Sequence, residues 1–394
     1  FVLFVIVILC VPMNALAVER VISFETKFKQ EVMSAKATKT VQQLAKQLKK
    51  PMEDRQKRII LTYNGKWDDV YVDFEKGLLT VLLEDEYLAF DYRGYSYVTR
   101  EEHGKKIIDV TFQYYQTKNQ HKYVQQQVKK IVQQLTNAGM TEHQKVKVLH
   151  DYIIENVTYD YSLNQGVNAP YFALKSGETL CNGYAMLMYI MLKEAGVDAR
   201  LVSGSAGIGS STEYHAWNMV ELDGAWYQLD VTWNDLDDGI VRYDYFLVSD
   251  KTLRADHSWK KGGLNGDEKS YPVAKMDYFE QLILEQNKDV LTLYDLWRDP
   301  KTTATTVKQF EQLLTKSFNV LLDDFSLDYI SRESYKVVAD PKRYIDAAIA
   351  ATGLDVEYTY EIVPYDYLKT SGVTIHVDVL QYSEDVADLQ LANV

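Results

Sequence analysis

Cys181, His215 and Asp230 are the residues whose types and spacing point to chemistry. Two strand-like runs, Tyr214 to Leu222 and Ala225 to Thr232, are joined by Asp223-Gly224. An Asp-Gly pair suits the two-residue hairpin turn that needs positive φ at both positions. Leu222 then faces Ala225, and stepping outward pairs Trp217 with Asp230 and His215 with Thr232. Side chains alternate with period two, so His215, Trp217, Asp230 and Thr232 share one face, and His215 and Asp230 become diagonal neighbours. Cys181 lies three residues before Tyr184, the first of a helical stripe Tyr184, Leu187, Met188, Met191, Leu192 and Ala195. That places the thiol at the buried start of a helix, where the partial positive charge favours thiolate. Packing of the stripe on the hairpin face brings thiol, imidazole and carboxylate together as nucleophile, base and orienter.

Each residue alone has a plainer explanation. A buried cysteine is usually an inert small hydrophobe, a strand histidine is commonly packed or solvated, and Asp230 could end a strand or cap a turn. The joint pattern, in which one turn fixes the register that brings His and Asp together opposite a helix-start cysteine, favours function.

The elements that must position these residues are legible from periodicity. Residues 24–49 are Lys- and Gln-rich and helical, with Val41, Leu44 and Leu48 on one stripe. Strands are predicted from Ile59 to Tyr63 and from Ile107 to Tyr115, giving a small α+β domain over residues 18–118. Residues 119–262 form a separate core. Val124, Val128, Ile131, Val132 and Leu135 mark one helix face, Thr141 and Gln144 a capping box, and Gly196 the end of the helix that Cys181 opens. In the segment 275–394, Val307, Phe310, Leu313 and Leu314 read as a helix, Val320 to Leu322 as a strand, and Val373, Ile375, Val377 and Val379 as another. The order of elements repeats that of the first domain and suggests duplication around an inserted core.

Three stretches, Thr179-Leu180-Cys181-Asn182-Gly183-Tyr184-Ala185, His215-Ala216-Trp217-Asn218 and Leu229-Asp230-Val231-Thr232-Trp233, resemble in that order the Cys, His and Asp motifs of the transglutaminase-like superfamily. Val148 to Ile153 and Val157 to Asp160 resemble the segment before the cysteine. Tyr245 to Asp250 and His257-Ser258-Trp259 resemble the end of bacterial secreted members. The likeness spans about residues 140–260. It implies an α+β fold with a papain-like core, a Cys-bearing helix packed on an antiparallel sheet. By the same likeness Cys181 is the nucleophile, His215 the base and acid, and Asp230 the orienting group of a reaction that passes through a thioester. The backbone N–H of Cys181 is the first oxyanion donor, and Tyr171 and Trp217 are candidates for a second donor or for substrate contact.

The 394 residues, 46% hydrophobic and 25% charged, exclude a disordered or low-complexity chain. A net charge of −13 disfavours nucleic acid as a partner. Residues 1–17 are uncharged, begin with an apolar run ended by Pro12, and finish Ala15-Leu16-Ala17. They read as a secretory signal lacking its Met and basic region, with an uncleaved anchor as the alternative. Its removal takes Cys10 and leaves Cys181 as the single thiol of a secreted or cell-surface chain, so no disulfide framework is expected. No HExxH or paired CxxC is present, and Asp235, Asp237 and Asp238 do not have calcium-loop spacing, so no metal or cofactor is expected. His150 reads as a packing or hydrogen-bonding residue, His376 as solvated, and His257 as lacking a partner. Two functions follow. One is a thiol enzyme acting on peptide or protein amides, cell-wall associated ones included, and hydrolysing rather than cross-linking. The other is a non-catalytic surface binding or assembly module on the same fold.

Overall fold

The computed structural model describes residues 38–208, 211–235, 241–260, 271–284, 301–367 and 370–382; the signal-like segment and Cys10 lie outside them. The chain divides into two compact units between Asp277 and Tyr278. The described residues of segments 18–118 and 119–262, separate in the sequence reading, fall in the first unit.

The first unit opens with α1 (Lys39–Glu53), β1 (Arg58–Tyr63), α2 (Val70–Glu84), α3 (Glu86–Asp91), β2 (Tyr92–Glu102) and β3 (Lys105–Tyr114). The three strands form an antiparallel sheet of order β1-β3-β2. Ile59, Leu61 and Tyr63 alternate inward from β1, as do Ile108, Val110 and Phe112 from β3. They meet Leu44, Leu48, Phe74 and Leu78 of the two long helices.

Beyond this sheet, Arg55 and Asp91 form an ion pair of 2.8 Å whose side chains are 3% and 0% exposed. The other oxygen of Asp91 accepts from the backbone N–H of Gln116 at 3.0 Å and from its side chain at 3.3 Å. Burial raises the Asp91 carboxyl above its usual range, against the pull of Arg55. Arg55→Met would leave that group without its cation, and we expect a loss of about 3–5 kcal/mol of stability. Urea unfolding checks this, and a change under about 1 kcal/mol would contradict it.

The core continues through α4 (Lys118–Leu135), α5 (Glu142–Asn156), β4 (Thr158–Tyr159), α6 (Pro170–Ser176), β5 (Glu178–Thr179) and α7 (Cys181–Glu194). Both halves of the Thr141–Gln144 capping box are present at the start of α5. Then follow β6 (Ala199–Ile208), β7 (Ser211–Leu222), β8 (Ala225–Leu229), α8 (Val231–Asn234), β9 (Phe246–Val248), α9 (Asp250–Leu253) and β10 (His257–Ser258). The sheet has the antiparallel order β10-β6-β7-β8-β9. Helix α7 lies on β6 and β7, and Leu187, Met188, Met191 and Leu192 are each 0% exposed. Each contributes roughly 1.5–3 kcal/mol through burial, so the helix that starts at Cys181 is fixed along its length.

The β7–β8 hairpin turns on Asp223 and Gly224, with φ of 53° and 79°. Its register runs from Leu222↔Ala225 to Asn218↔Leu229. The expected continuation to Trp217↔Asp230 and His215↔Thr232 does not form. Asp230 donates its N–H to the Tyr245 carbonyl and its side chain accepts from Trp233 N–H at 3.2 Å, so the chain turns into α8 and Thr232 is helical. The competing force is the N-cap, which satisfies amide hydrogens a helix start would otherwise leave open.

The second unit, described by itself, contains α10 (Tyr278–Leu284), β11 (Thr303–Ala304), α11 (Val307–Asn319), β12 (Asp324–Ile330), α12 (Ser334–Ala339), α13 (Pro341–Thr352), β13 (Val356–Tyr367) and β14 (Thr370–Tyr382). The strand expected at Val320 to Leu322 is instead the turn that follows α11, with Val320 as the helix C-cap. Leu321 has a φ of 57°, and Val320 and Leu322 are 57% and 40% exposed. The strand begins at Asp324 and turns Phe325, Leu327 and Tyr329 inward against Val373, Ile375 and Val377. From α11 onward the order helix–strand–helix–helix–strand–strand, with sheet order β12-β14-β13, matches that of α1 to β3. This is a likeness of topology; descent of both segments from one ancestor stays a proposal. No helix among the described residues is long and apolar enough to cross a membrane.

Candidate active site

Cys181 is the first residue of α7, whose N-cap is Leu180. The start of the helix is held from three sides. Gly183 N–H donates to Asn168 Oδ1 at 3.2 Å. Asn182 Nδ2 reaches the carbonyls of Phe90 and Asn168, both at 3.3 Å. The Tyr184 hydroxyl donates to Asp235 at 2.7 Å. Gly183 is required because a Cβ there would lie 1.9 Å from Thr179 Oγ1, which itself donates to the Val167 carbonyl. The side of α3 also supports this turn: Phe90 and Tyr87 pack with Ala185, Met186 and Ala216, and Glu86 pairs with Arg200.

His215 lies on β7 opposite Gly204 of β6, and is 6% exposed. Asn218, on the same strand, donates to the Ala185 carbonyl of α7 at 3.0 Å. Strand and helix are thereby pinned in the relation that sets the imidazole against the thiol. His215 Nε2 is 2.6 Å from Asp230 Oδ2, and Cys181 lies close enough for its charge to act on the ring. With Nε2 engaged by the carboxylate, Nδ1 is the nitrogen left for the sulfur.

Burial is the largest influence on His215 and opposes its charge. The charge and hydrogen bond of Asp230, joined by those of Cys181, outweigh it and raise the imidazole to about 10. Burial likewise opposes the Asp230 charge, but His215 and a second histidine, His257, hold that carboxyl well below its usual range. A buried imidazolium between a carboxylate and a thiol stabilises thiolate, the form that attacks a carbonyl.

His257 had no partner in the sequence reading. In the structure its Nε2 lies 3.0 Å from Asp230 Oδ2 and its Nδ1 2.5 Å from Asp256 Oδ1. Pairing of β10 with the edge of β6, His257↔Ala206, delivers it there. The only sequence signal was its place in the His257-Ser258-Trp259 motif.

Trp217 lies behind the imidazole rather than at the surface. It is 1% exposed, its indole N–H donates to Gln228 at 2.8 Å, and it stacks behind His215 at 5.8 Å. Tyr171 lies on α6 edge-on to Tyr123, 5.5 Å between ring centres, away from the cleft described next. Tyr171 was chosen by its place in the chain before the cysteine, which does not reveal how the loop before α7 folds.

A cleft of about 750 Å³ opens beside His215. Its walls include Tyr159, Tyr214, Trp233 and Tyr245, with Glu213 and Asp244 among its charged residues. Cys181, 8% exposed, is not part of this lining. Parallel pairing of β4 with β5 sets Tyr159 beside Thr179, two residues before the cysteine. Burial, together with the Cys181 charge, raises the Tyr159 hydroxyl to about 12, so it stays an O–H donor near the nucleophile. His150, 0% exposed, bonds Asp151 at 2.9 Å and Asn234 at 3.0 Å, bracing α8 from behind. Asp235 is buried against Tyr184; Asp237 and Asp238 lie outside the described residues.

Two groups of three ligand-capable side chains lie within 4.8 Å among the described residues, His215–Asp230–His257 and Asp324–His376–Asp378. In the first, the 2.6 and 3.0 Å contacts run directly from ring nitrogen to carboxylate oxygen, the spacing of charge-assisted hydrogen bonds. In the second, His376 Nδ1 is bonded to Ser326 Oγ at 2.7 Å, a partner the sequence reading of a solvated histidine did not contain.

A cysteine on a helix start, a histidine on the facing antiparallel strand and a carboxylate behind it define a transglutaminase-like, cysteine-protease-like domain. Residues 129–231 match the family model of the transglutaminase-like superfamily, and Cys181, His215 and Asp230 all lie within them. The chain carries a domain of that superfamily. Kyphoscoliosis peptidase of Homo sapiens is 32% identical over 133 residues, 30% of this chain and 20% of that protein. Its Mus musculus counterpart is 32% identical over 115 residues, covering 26% and 17%. The chain thus spans about a fifth of the length of these curated relatives. Among solved structures, a TGase is 17% identical, covering 56% of this chain and 62% of that one, with a TM-score of 0.26. The periplasmic domain of TgpA from Pseudomonas aeruginosa is 16% identical, covering 34% and 57%, with a TM-score of 0.24.

Proposed function

We propose that the protein is an exported thiol acyl-transfer enzyme that acts on peptide or protein amides, cell-wall associated ones included, and hydrolyses rather than cross-links them. The observation that carries this is the buried 2.6 Å His215–Asp230 pair, with Cys181 close enough to act on the imidazole, beside an open cleft. The thiolate attacks the amide carbon, and the carbonyl oxygen becomes an oxyanion facing the Cys181 N–H at the helix start. The C–N bond breaks as the His215 imidazolium gives its proton to the leaving amine, which leaves a thioester on Cys181. Neutral His215 then takes a proton from water, the hydroxide forms the new C–O bond, and the C–S bond breaks. Carboxylic acid and thiolate are the products, and the imidazolium is restored.

Hydrolysis is favoured over amine transfer because no residue pattern marks an amine-acceptor site, whereas water is always present. Export is supported by the uncharged, apolar residues 1–17 with their Ala-Leu-Ala end. No nucleic acid is proposed as a partner, given the net charge of −13.

The pH dependence of Cys181 alkylation by iodoacetamide tests the activated pair without needing a substrate. We expect alkylation faster than that of free cysteine at neutral pH, with an inflection below the ordinary thiol value of about 8.5. A rate no faster than free cysteine, with no such inflection, would favour a binding or assembly module that keeps the fold without turnover.

A further inference from the structure

We infer that His257 is a positioning residue of this site, holding Asp230 in the orientation that loads His215, and that Asp256 and Tyr245 fix His257 from behind. This rests on the Cys181–His215 reading above. The argument begins with the oxygens of Asp230. Oδ1 accepts from Trp233 N–H at 3.2 Å, while Oδ2 faces the Nε2 atoms of both His215 and His257, at 2.6 and 3.0 Å. A carboxylate oxygen only accepts, so each contact is made by a ring N–H. Without His257, Oδ2 keeps one donor, and only the contacts of Trp233 N–H and His215 restrain the carboxylate about its terminal bond, a broad and shallow torsion.

A packing role alone does not account for the arrangement. The His257 side chain is 0% exposed, with Trp233 and Trp217 rings 4.6 and 5.2 Å away, and an apolar ring would fill that space without desolvating two nitrogens. Instead the far nitrogen is also engaged, 2.5 Å from Asp256 Oδ1, and Asp256 Oδ2 accepts from the Tyr245 hydroxyl at 2.7 Å. The titratable groups facing His257 are therefore His215, Asp230, Asp256 and, through Asp256, Tyr245. These residues come from β7, the end of β8, the turn before β10 and the start of β9, so the series ties four parts of the sheet to one carboxylate.

Two substitutions separate the nitrogens. In His257→Gln the amide occupies the place of Nε2 and keeps a donor to Asp230; in His257→Asn it occupies that of Nδ1 and keeps only the contact to Asp256. The readout is the pH profile of Cys181 alkylation, with circular dichroism as the check on folding. Loosening Asp230 weakens the imidazolium that stabilises the thiolate, so the inflection moves up toward that of a free thiol. We expect His257→Gln to retain the wild-type inflection and His257→Asn to raise it by roughly one to two pH units. That is a ten- to hundredfold loss of alkylation rate below the inflection. An unmoved inflection in a folded His257→Asn, or equal displacement in both variants, overturns the inference. If His257→Asn does not fold, Asp256→Asn carries the test: an upward displacement supports the inference and an unchanged profile overturns it. A wild-type profile with no low inflection is a separate result and removes the Cys181–His215 reading itself.

Discussion

Cys181→Ala is expected to abolish amide turnover, a loss on the order of 10⁶-fold, the scale on which removal of a covalent nucleophile is felt. No other group can replace the sulfur, because Cys181 is the free cysteine of the described residues and its position is set by the helix start, by the fit of Gly183 against Thr179 and by the Asn168 cap. Alanine is a good helix former, so the fold should lose no more than about 1 kcal/mol. Far-ultraviolet circular dichroism and urea unfolding should be close to wild type while turnover disappears. Retained turnover would remove the proposal that the thiol is the nucleophile.

The second large effect is expected from Asp230→Asn, with a loss of roughly 10²- to 10⁴-fold in turnover, the upper figure being that of the equivalent change in a serine triad. Asparagine preserves size and remains an effective N-cap for α8, so what is removed is the charge that holds the His215 imidazolium. His215 has its folded value raised to about 10, against about 6.5 in an unfolded chain. A raised histidine stabilises the fold fully below its unfolded value, and the contribution is lost as pH rises through the folded one. Wild type should therefore lose this component between about pH 6.5 and 10, and Asp230→Asn should show a flatter stability curve over that interval. Urea midpoints measured across it test the sign. An equally steep decline in the variant would mean that the Asp230 charge is not what raises His215.

The parts of the site that were legible in the sequence are those fixed by local rules. An Asp-Gly turn sets a hairpin register, so the relation of Asn218 to Leu229 follows from two residues. The stripe from Tyr184 to Leu192 places Cys181 at a helix start because helical periodicity is local too. What the sequence withheld depends on contacts between distant segments. Asp230 leaves the strand because the Tyr245 carbonyl and the Trp233 amide compete for it, and no alternation pattern records that competition. His257 comes to Asp230 from 27 residues away by pairing with the sheet edge. Trp217 read as a candidate for a second donor or for substrate contact, but Gln228 of the neighbouring strand takes its N–H and closes it into the core. At Val320 to Leu322, a short apolar run does not by periodicity alone distinguish strand from other structure; the segment is the turn after α11, where Leu321 takes a positive φ.

The central claim is a thioester on Cys181, and trapping it is the most direct measurement. Incubation of the protein with a cell-envelope extract, acid quenching and mass spectrometry should find a peptide-derived acyl group on the fragment that contains Cys181. Hydroxylamine should remove it, and Cys181→Ala should lack it. An acyl group on another residue, or turnover of peptide with Cys181 shown to remain a free thiol throughout, would contradict the account.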